Sequence, residues 1–333
     1  MSIFGLLGWW RWFREQLLRT SSDNVQEERW FLQILHSQDA LDELAEEIAR
    51  KLRQSGTVWK IQVESLWVDG LPQAVGWNGN QIKCELADLL YVVRASGLEK
   101  AILLQGKTSE NFNELPSSGS TSTERELLET HDWVRKIELY SNYKGTKSIG
   151  NYKLMSTGIG LKPFASYLLI AKEWYWRRRH PFVGRWSPYI TGWPQSFTST
   201  FLNGATSLNL VDLAVDMAQF KSLEPGHLVD NSNTEWKDMV DTLRGRKAGV
   251  SMRGYGGQPY LRRSIVADSS NYKYRRPLPA NLMRRISWLF PSPMLSVVPV
   301  EPPGGPPPAL VPSEFDAAPL IPTITVTFMR ETA

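Results

Sequence analysis

Cysteine is almost missing from this chain: among 333 residues, Cys84 stands alone. A disulfide framework within the chain is thereby excluded, and a cysteine-based zinc site is not expected. The same scarcity fits a reducing, cytoplasmic compartment. Histidine is nearly as rare, and His36, His131, His180 and His227 are scattered singly. Each reads as a surface or internally satisfied residue, and no histidine-rich metal cluster is expected. No apolar run reaches the length of about 18 residues that a membrane-spanning helix needs. Charge of one sign is not in large excess: 38 basic against 34 acidic residues give a net charge of +4, a weak hint of an anionic partner. The patterns G-x-S-x-G, H-E-x-x-H, C-x-x-C and G-x-x-x-x-G-K-[ST] are all lacking. Cys84 has Glu85 beside it and no evident histidine, so a thiolate nucleophile is not expected either.

What is present is an ordinary globular composition, 42% hydrophobic and 22% charged, enough for one large domain or two small ones. Its basic residues are unevenly placed, with arginines crowding 177–185, 244–263 and 275–285. The first residues, MSIFGLLGWWRWFREQLLR, lack the basic start and small-residue cleavage site of a signal peptide. Ile3, Leu6, Leu7, Trp10, Phe13 and Leu17 fall at helical spacing, so residues 1–22 read as an amphipathic, tryptophan-rich helix. Such a helix packs on its own domain or a second subunit, or else docks on a partner or a membrane surface.

Residues 23–55 carry apolar positions at spacings of three and four, notably Leu41, Leu44, Ala45, Ile48 and Leu52, and are expected to be helical. Residues 57–68 alternate and are rich in β-branched and aromatic side chains, as in a strand. After the turn at Asp69-Gly70-Leu71-Pro72 come two strands, 86–94 and 101–107. Their short link predicts antiparallel pairing, and their continuous hydrophobicity predicts that both faces are covered. A polar loop over 109–122 leads to a helix starting near Thr123, with Glu126 completing a capping-box pattern, and running to about Tyr140. Residues 142–153 read as loop and 165–171 as another buried strand. The first half is therefore α/β, with a mixed central sheet flanked by helices. The second half is less regular: amphipathic helices over 207–220 and 234–245, a glycine- and arginine-rich loop over 244–264, a proline-rich connector over 291–315, and a strand-like segment over 320–329. The expected divisions are 1–22, a core over 23–175, a basic helical and loop extension over 176–290, and the connector with its strand over 291–333.

Chemistry concentrates on the pair of central strands. Asp88 stands at the mouth of one, with Glu85 three residues earlier. Gln105 and Lys107 lie two apart on the next and therefore share a face. Antiparallel pairing puts the start of one strand beside the end of the other, so Asp88 should meet Gln105 and Lys107. A carboxylate and an amide oxygen suit a hard cation such as Mg²⁺ or Mn²⁺. A lysine beside them can orient or deprotonate a water and stabilise negative charge on a phosphate. The plain alternative is an Asp88–Lys107 ion pair at a sheet end, with Glu85 capping a turn.

The segment CELADLLYVV, followed by AILLQGK, resembles the core of the PD-(D/E)XK nuclease superfamily. Asp88 matches the first acid and Lys107 the lysine, while Gln105 replaces the second acid, as in branches carrying Q-x-K. The likeness covers roughly residues 25–172 and implies a restriction-endonuclease-like fold. It implies a metal-dependent nuclease, with Asp88, Gln105 and Lys107 in the site and Glu85 assisting. It also implies a glutamate from the preceding helix, Glu47 being the first choice and Glu43, Glu46 and Glu28 the others. DNA is the implied substrate, and a prokaryotic restriction or antiviral setting the implied role. The tryptophan-rich N-terminus would be a contact for a homo-oligomer or a defence-complex partner. The neutral oxygen of Gln105 leaves open a degenerate core that binds nucleic acid or serves in assembly without cutting. A scaffold self-associating through the N-terminal helix is a third option.

Two basic segments extend the nucleic-acid reading. Arg177, Arg178, Arg179 and Arg185 are interleaved with Trp174, Tyr175, Trp176 and Trp186, and arginines neutralise phosphates while aromatics can stack on exposed bases. Arg244, Arg246, Lys247 and Arg253 lie on a glycine-rich backbone that could approach a phosphate closely, or is simply a surface loop.

Overall fold

The structure is a computed structural model. It describes residues 32, 35–36, 38–54, 59–67, 74–77, 80–109, 115, 119–129, 136–140, 148–154, 164–171, 189–190, 208–219, 225–245, 261–268 and 320–330. The tryptophan-rich N-terminus, Glu28, the arginines at 177–185, Arg246, Lys247, Arg253 and the proline-rich connector lie outside these residues.

In chain order the elements are α1 (Gln38–Gln54), β1 (Trp59–Trp67), β2 (Ala74–Trp77), β3 (Asn80–Glu85), β4 (Leu89–Ala95), β5 (Leu98–Ser109), α2 (Gly119–Glu129), β6 (Ile137–Tyr140), β7 (Ser148–Tyr152), β8 (Ala165–Ala171), β9 (Tyr189–Ile190), β10 (Leu208–Asn209), α3 (Leu210–Gln219), β11 (His227–Leu228), α4 (Thr234–Leu243), β12 (Leu261–Asp268) and β13 (Thr323–Arg330). The chain is thus mixed α/β with a mixed central sheet, as its alternating patterns predict. Nine of the described strands form that sheet, in the order β10-β9-β8-β5-β4-β13-β1-β12, with β11 also against β5. β4 and β5 are antiparallel, whereas β5 with β8 and β4 with β13 are parallel. β13 lies between β1 and β4, antiparallel to the one and parallel to the other.

Local chemistry explains the central pair. Every residue of β4 except Arg94 is buried, because layers cover both faces of the sheet. The turn into β5 places Ser96 at φ 52 and Gly97 at φ 78, the backbone hand that matches a right-twisted hairpin. Along the two strands, side chains alternate between two cores. Leu89, Tyr91, Val93, Ile102 and Leu104 pack with α1 and α3. Leu90, Val92, Ala101 and Leu103 pack with α2, α4 and the hairpins β2–β3 and β6–β7. The latter four strands form a second sheet, ordered β3-β2-β6-β7. The Tyr91 hydroxyl donates to the Leu210 carbonyl at 3.0 Å, which satisfies it where α3 begins.

Some boundaries differ from expectation. The helix expected from Thr123 to about Tyr140 starts earlier, at Gly119, and ends at Glu129; Ile137–Tyr140 is strand β6 instead. Glu126 is therefore inside the helix and not part of a capping box at its start. The loop expected over 142–153 contains β7, and the arginine-rich loop expected over 244–264 gives way to β12 at Leu261. The β2–β3 hairpin is an element that the expected three-strand order leaves out.

Candidate active site

The register of β4 and β5 pairs Leu89 with Leu104, which sets Asp88 opposite Gln105. The backbone N–H of Asp88 donates to the Leu104 carbonyl at 3.0 Å, extending the ladder by one residue. Asp88 Oδ2 accepts from Gln105 Nε2 at 2.6 Å and from the Gly106 backbone N–H at 2.8 Å. Gln105 and Lys107 are buried, and they share the face of Ala101 and Leu103, toward α2. The structure thus brings Asp88 and Gln105 into contact and puts Lys107 one pleat further along the same face.

Lys107 meets a residue that the sequence pattern does not single out. Its Nζ lies 2.7 Å from Glu124 Oε2, with side-chain exposures of only 8% and 13%. The contact is ionic without hydrogen-bond alignment, because Glu124 Oε2 is buried with no hydrogen-bond partner. Glu124 is carried on α2, whose Leu127 and Leu128 are buried in the core below. These leucines lie three and four positions on, so all three share the inward face of the helix. A carboxylate at an inward-facing position is the one local signal that could have pointed to it.

Glu85 ends β3 beside Cys84, close to the same group. The Cys84 thiol is pushed up to about 12, first by burial and then by the negative charges of Glu124, Glu85 and Glu126, against which Lys107 acts. At neutral pH it is therefore a protonated thiol and not a thiolate nucleophile.

Glu47 is placed elsewhere. It lies on α1, which packs on the opposite face of the sheet from Gln105 and Lys107. Its carboxylate accepts from Arg50, including a 3.0 Å bond from Nε. Glu46 is on the same helix and exposed, and the side chain of Glu43 is outside the described residues. Arg244 is corrected as a phosphate contact. It is buried, and its Nη1 donates to both oxygens of Glu99 at 3.0 and 3.1 Å, so its charge is neutralised inside the fold. Gly106, Lys107 and Thr108 lie within the continuous strand β5, so they do not form a phosphate-cradling loop that opens a helix.

Among the described residues, no three His, Cys, Asp or Glu side chains form a ready-made metal cluster. The oxygens that are present nevertheless suit a hard cation. Gln105 Oε1 is buried with no hydrogen-bond partner, and it belongs to the amide whose other end is fixed on Asp88. An orphaned carbonyl oxygen beside the Asp88 carboxylate, without histidine or thiolate, fits the oxygen ligands that Mg²⁺ or Mn²⁺ prefers.

Compared with known proteins, the chain matches no family model, no curated protein and no solved structure. Among the described residues, no helix is long and apolar enough to cross a membrane.

Proposed function

We propose that the chain is a metal-dependent nuclease that hydrolyses phosphodiester bonds, with DNA as its substrate. The observation that carries this reading is the Asp88–Gln105 contact at 2.6 Å, with Lys107 buried on the same face. The chain order of α1, β1, β4, β5, α2 and β8 also supports a restriction-endonuclease-like core, in which β8 runs parallel to β5. The insertion of β13 between β1 and β4 is a departure from a simple three-strand meander.

Asp88 and Gln105 would hold the divalent cation. Such a cation, when bound, acidifies a water and offsets phosphate charge. The protein's own part is positioning and charge. Asp88 is fixed by two donors, so its carboxylate needs little reorganisation. Lys107 offers an ammonium to the negative charge that builds on phosphate oxygens during cleavage. DNA is favoured by the resemblance of the strand motif, and a restriction or antiviral role follows from that likeness alone.

The decisive experiment compares Asp88→Ala and Lys107→Ala with the parent on plasmid and single-stranded DNA, in Mg²⁺, Mn²⁺ or EDTA. Each variant is expected to lose cleavage by about a thousandfold while still folding. If both cut as the parent does, the site assignment is wrong. The second reading, a non-cutting nucleic-acid-binding or assembly subunit, is favoured by one observation: Lys107 already has a carboxylate partner in Glu124. Binding with a steep salt dependence and no cutting in any metal would support it.

A further inference from the structure

We propose that Glu124 is the second carboxylate of this site, a cation ligand supplied by α2 in place of the acid that β5 lacks at Gln105. The inference rests on the cation-dependent reading above.

Charge is the first reason. Lys107 offsets the charge of Asp88, and Glu124 joins Glu85 nearby in adding negative charge, which favours a dication. Mg²⁺ sites commonly use one or two carboxylates with neutral oxygens and water. Burial is the second reason. Glu124 sits at the sixth of eleven positions of α2, away from the helix end where an acid would serve the dipole. It shares the inward face with Leu127 and Leu128, a place where an apolar side chain would pack without desolvation cost.

The third reason is an unsatisfied atom. Gln105 Oε1 is a buried acceptor with no hydrogen-bond partner, and Glu124 Oε2 is held by an ionic contact with Lys107 at 2.7 Å that is not a hydrogen bond. A polar cluster that served only the fold would leave no such acceptor, since an orphan costs about 1–3 kcal/mol. A cation would satisfy Gln105 Oε1 and offer the Glu124 carboxylate a second positive partner. The Lys107–Glu124 ion pair is then the resting arrangement, and a cation competes with Lys107 for the Glu124 carboxylate.

The test is Mn²⁺ binding to the full chain, read from the spin-resonance signal of free Mn²⁺ and independent of cleavage. Glu124→Gln is expected to weaken Mn²⁺ binding at least about tenfold. Gln105→Glu placed in the Glu124→Gln protein returns the carboxylate to the strand and is expected to restore binding to within a few-fold. Lys107→Met, which removes the competing ammonium, is expected to tighten it. Should Glu124→Gln fail to fold, unchanged affinity in Lys107→Met overturns the proposal and tighter binding supports it. If Glu124→Gln binds as the parent does while Asp88→Asn loses the ion, this proposal fails and the nuclease reading stands. If the parent binds no Mn²⁺, or Asp88→Asn binds as the parent does, both fail.

Discussion

The two ends of the β4–β5 hairpin both carry buried charge, but they are built on opposite principles. At the turn end, Glu99 accepts from Arg94 on the partner strand and from Arg244, 145 positions away, which follows α4. One carboxylate meets two guanidiniums, and its backbone carbonyl also takes the Val229 N–H at 2.8 Å. At the open end, Asp88 is equally well held and Glu124 Oε2 meets Lys107 in an ionic contact, yet Gln105 Oε1 is left buried without a hydrogen bond. A cluster that only braces the fold consumes its own acceptors. A cluster that keeps an acceptor in surplus, as this one does at Gln105 Oε1, is what the proposed cation site requires. The difference lies in the accounting of donors, since both ends contain acids and bases in similar surroundings.

That contrast can be broken by mutation. Arg244→Ala removes one partner of a buried pair and should cost about 3 kcal/mol, seen as a lower urea midpoint. Cleavage per folded molecule should not change; if it falls as stability does, the turn end is not merely a brace. The double change Lys107→Met with Glu124→Leu removes the opposing pair as a unit. It should raise stability by about 2 kcal/mol, because well-packed apolar residues outperform a partly buried ion pair. A large destabilisation would mean that the open end is structural after all. The smallest effect belongs to the turn itself. Gly97→Ala meets no atoms within 4 Å but keeps φ at +78, so thermal unfolding should show a loss of about 1 kcal/mol and no change in the site.

The sequence discloses the open end better than the rest. Unbroken apolar runs around Leu90 and Leu103 make β4 and β5 legible, and the two-residue period puts Gln105 and Lys107 on one face without further information. Asp88 follows from hairpin pairing. The β2–β3 hairpin is harder to see, because its strands are only four and six residues long; the Asn78-Gly79 dipeptide is the sequence signal for it. The helix overran to Tyr140 because Val134 and Ile137 fall by chance at helical spacing, while Ile137 and Leu139 in fact alternate as a strand. Glu124 and Arg244 share a different obscurity. Each residue's type is plain, but its partner is chosen by how α2 and α4 settle on the sheet, which local pattern does not encode.

The place of β13 has a consequence for biogenesis. A central strand of the sheet is the last described element to be synthesised, and it must enter between two strands made more than two hundred residues earlier. Until residue 330 has left the ribosome, β1 and β4 each present an unpaired edge, and the Leu90 N–H that later donates to the Pro322 carbonyl has no such acceptor. A product that stops before Thr323 has the β4–β5 pair that sets the register of Asp88 and Gln105 but lacks the strand that joins that pair to β1.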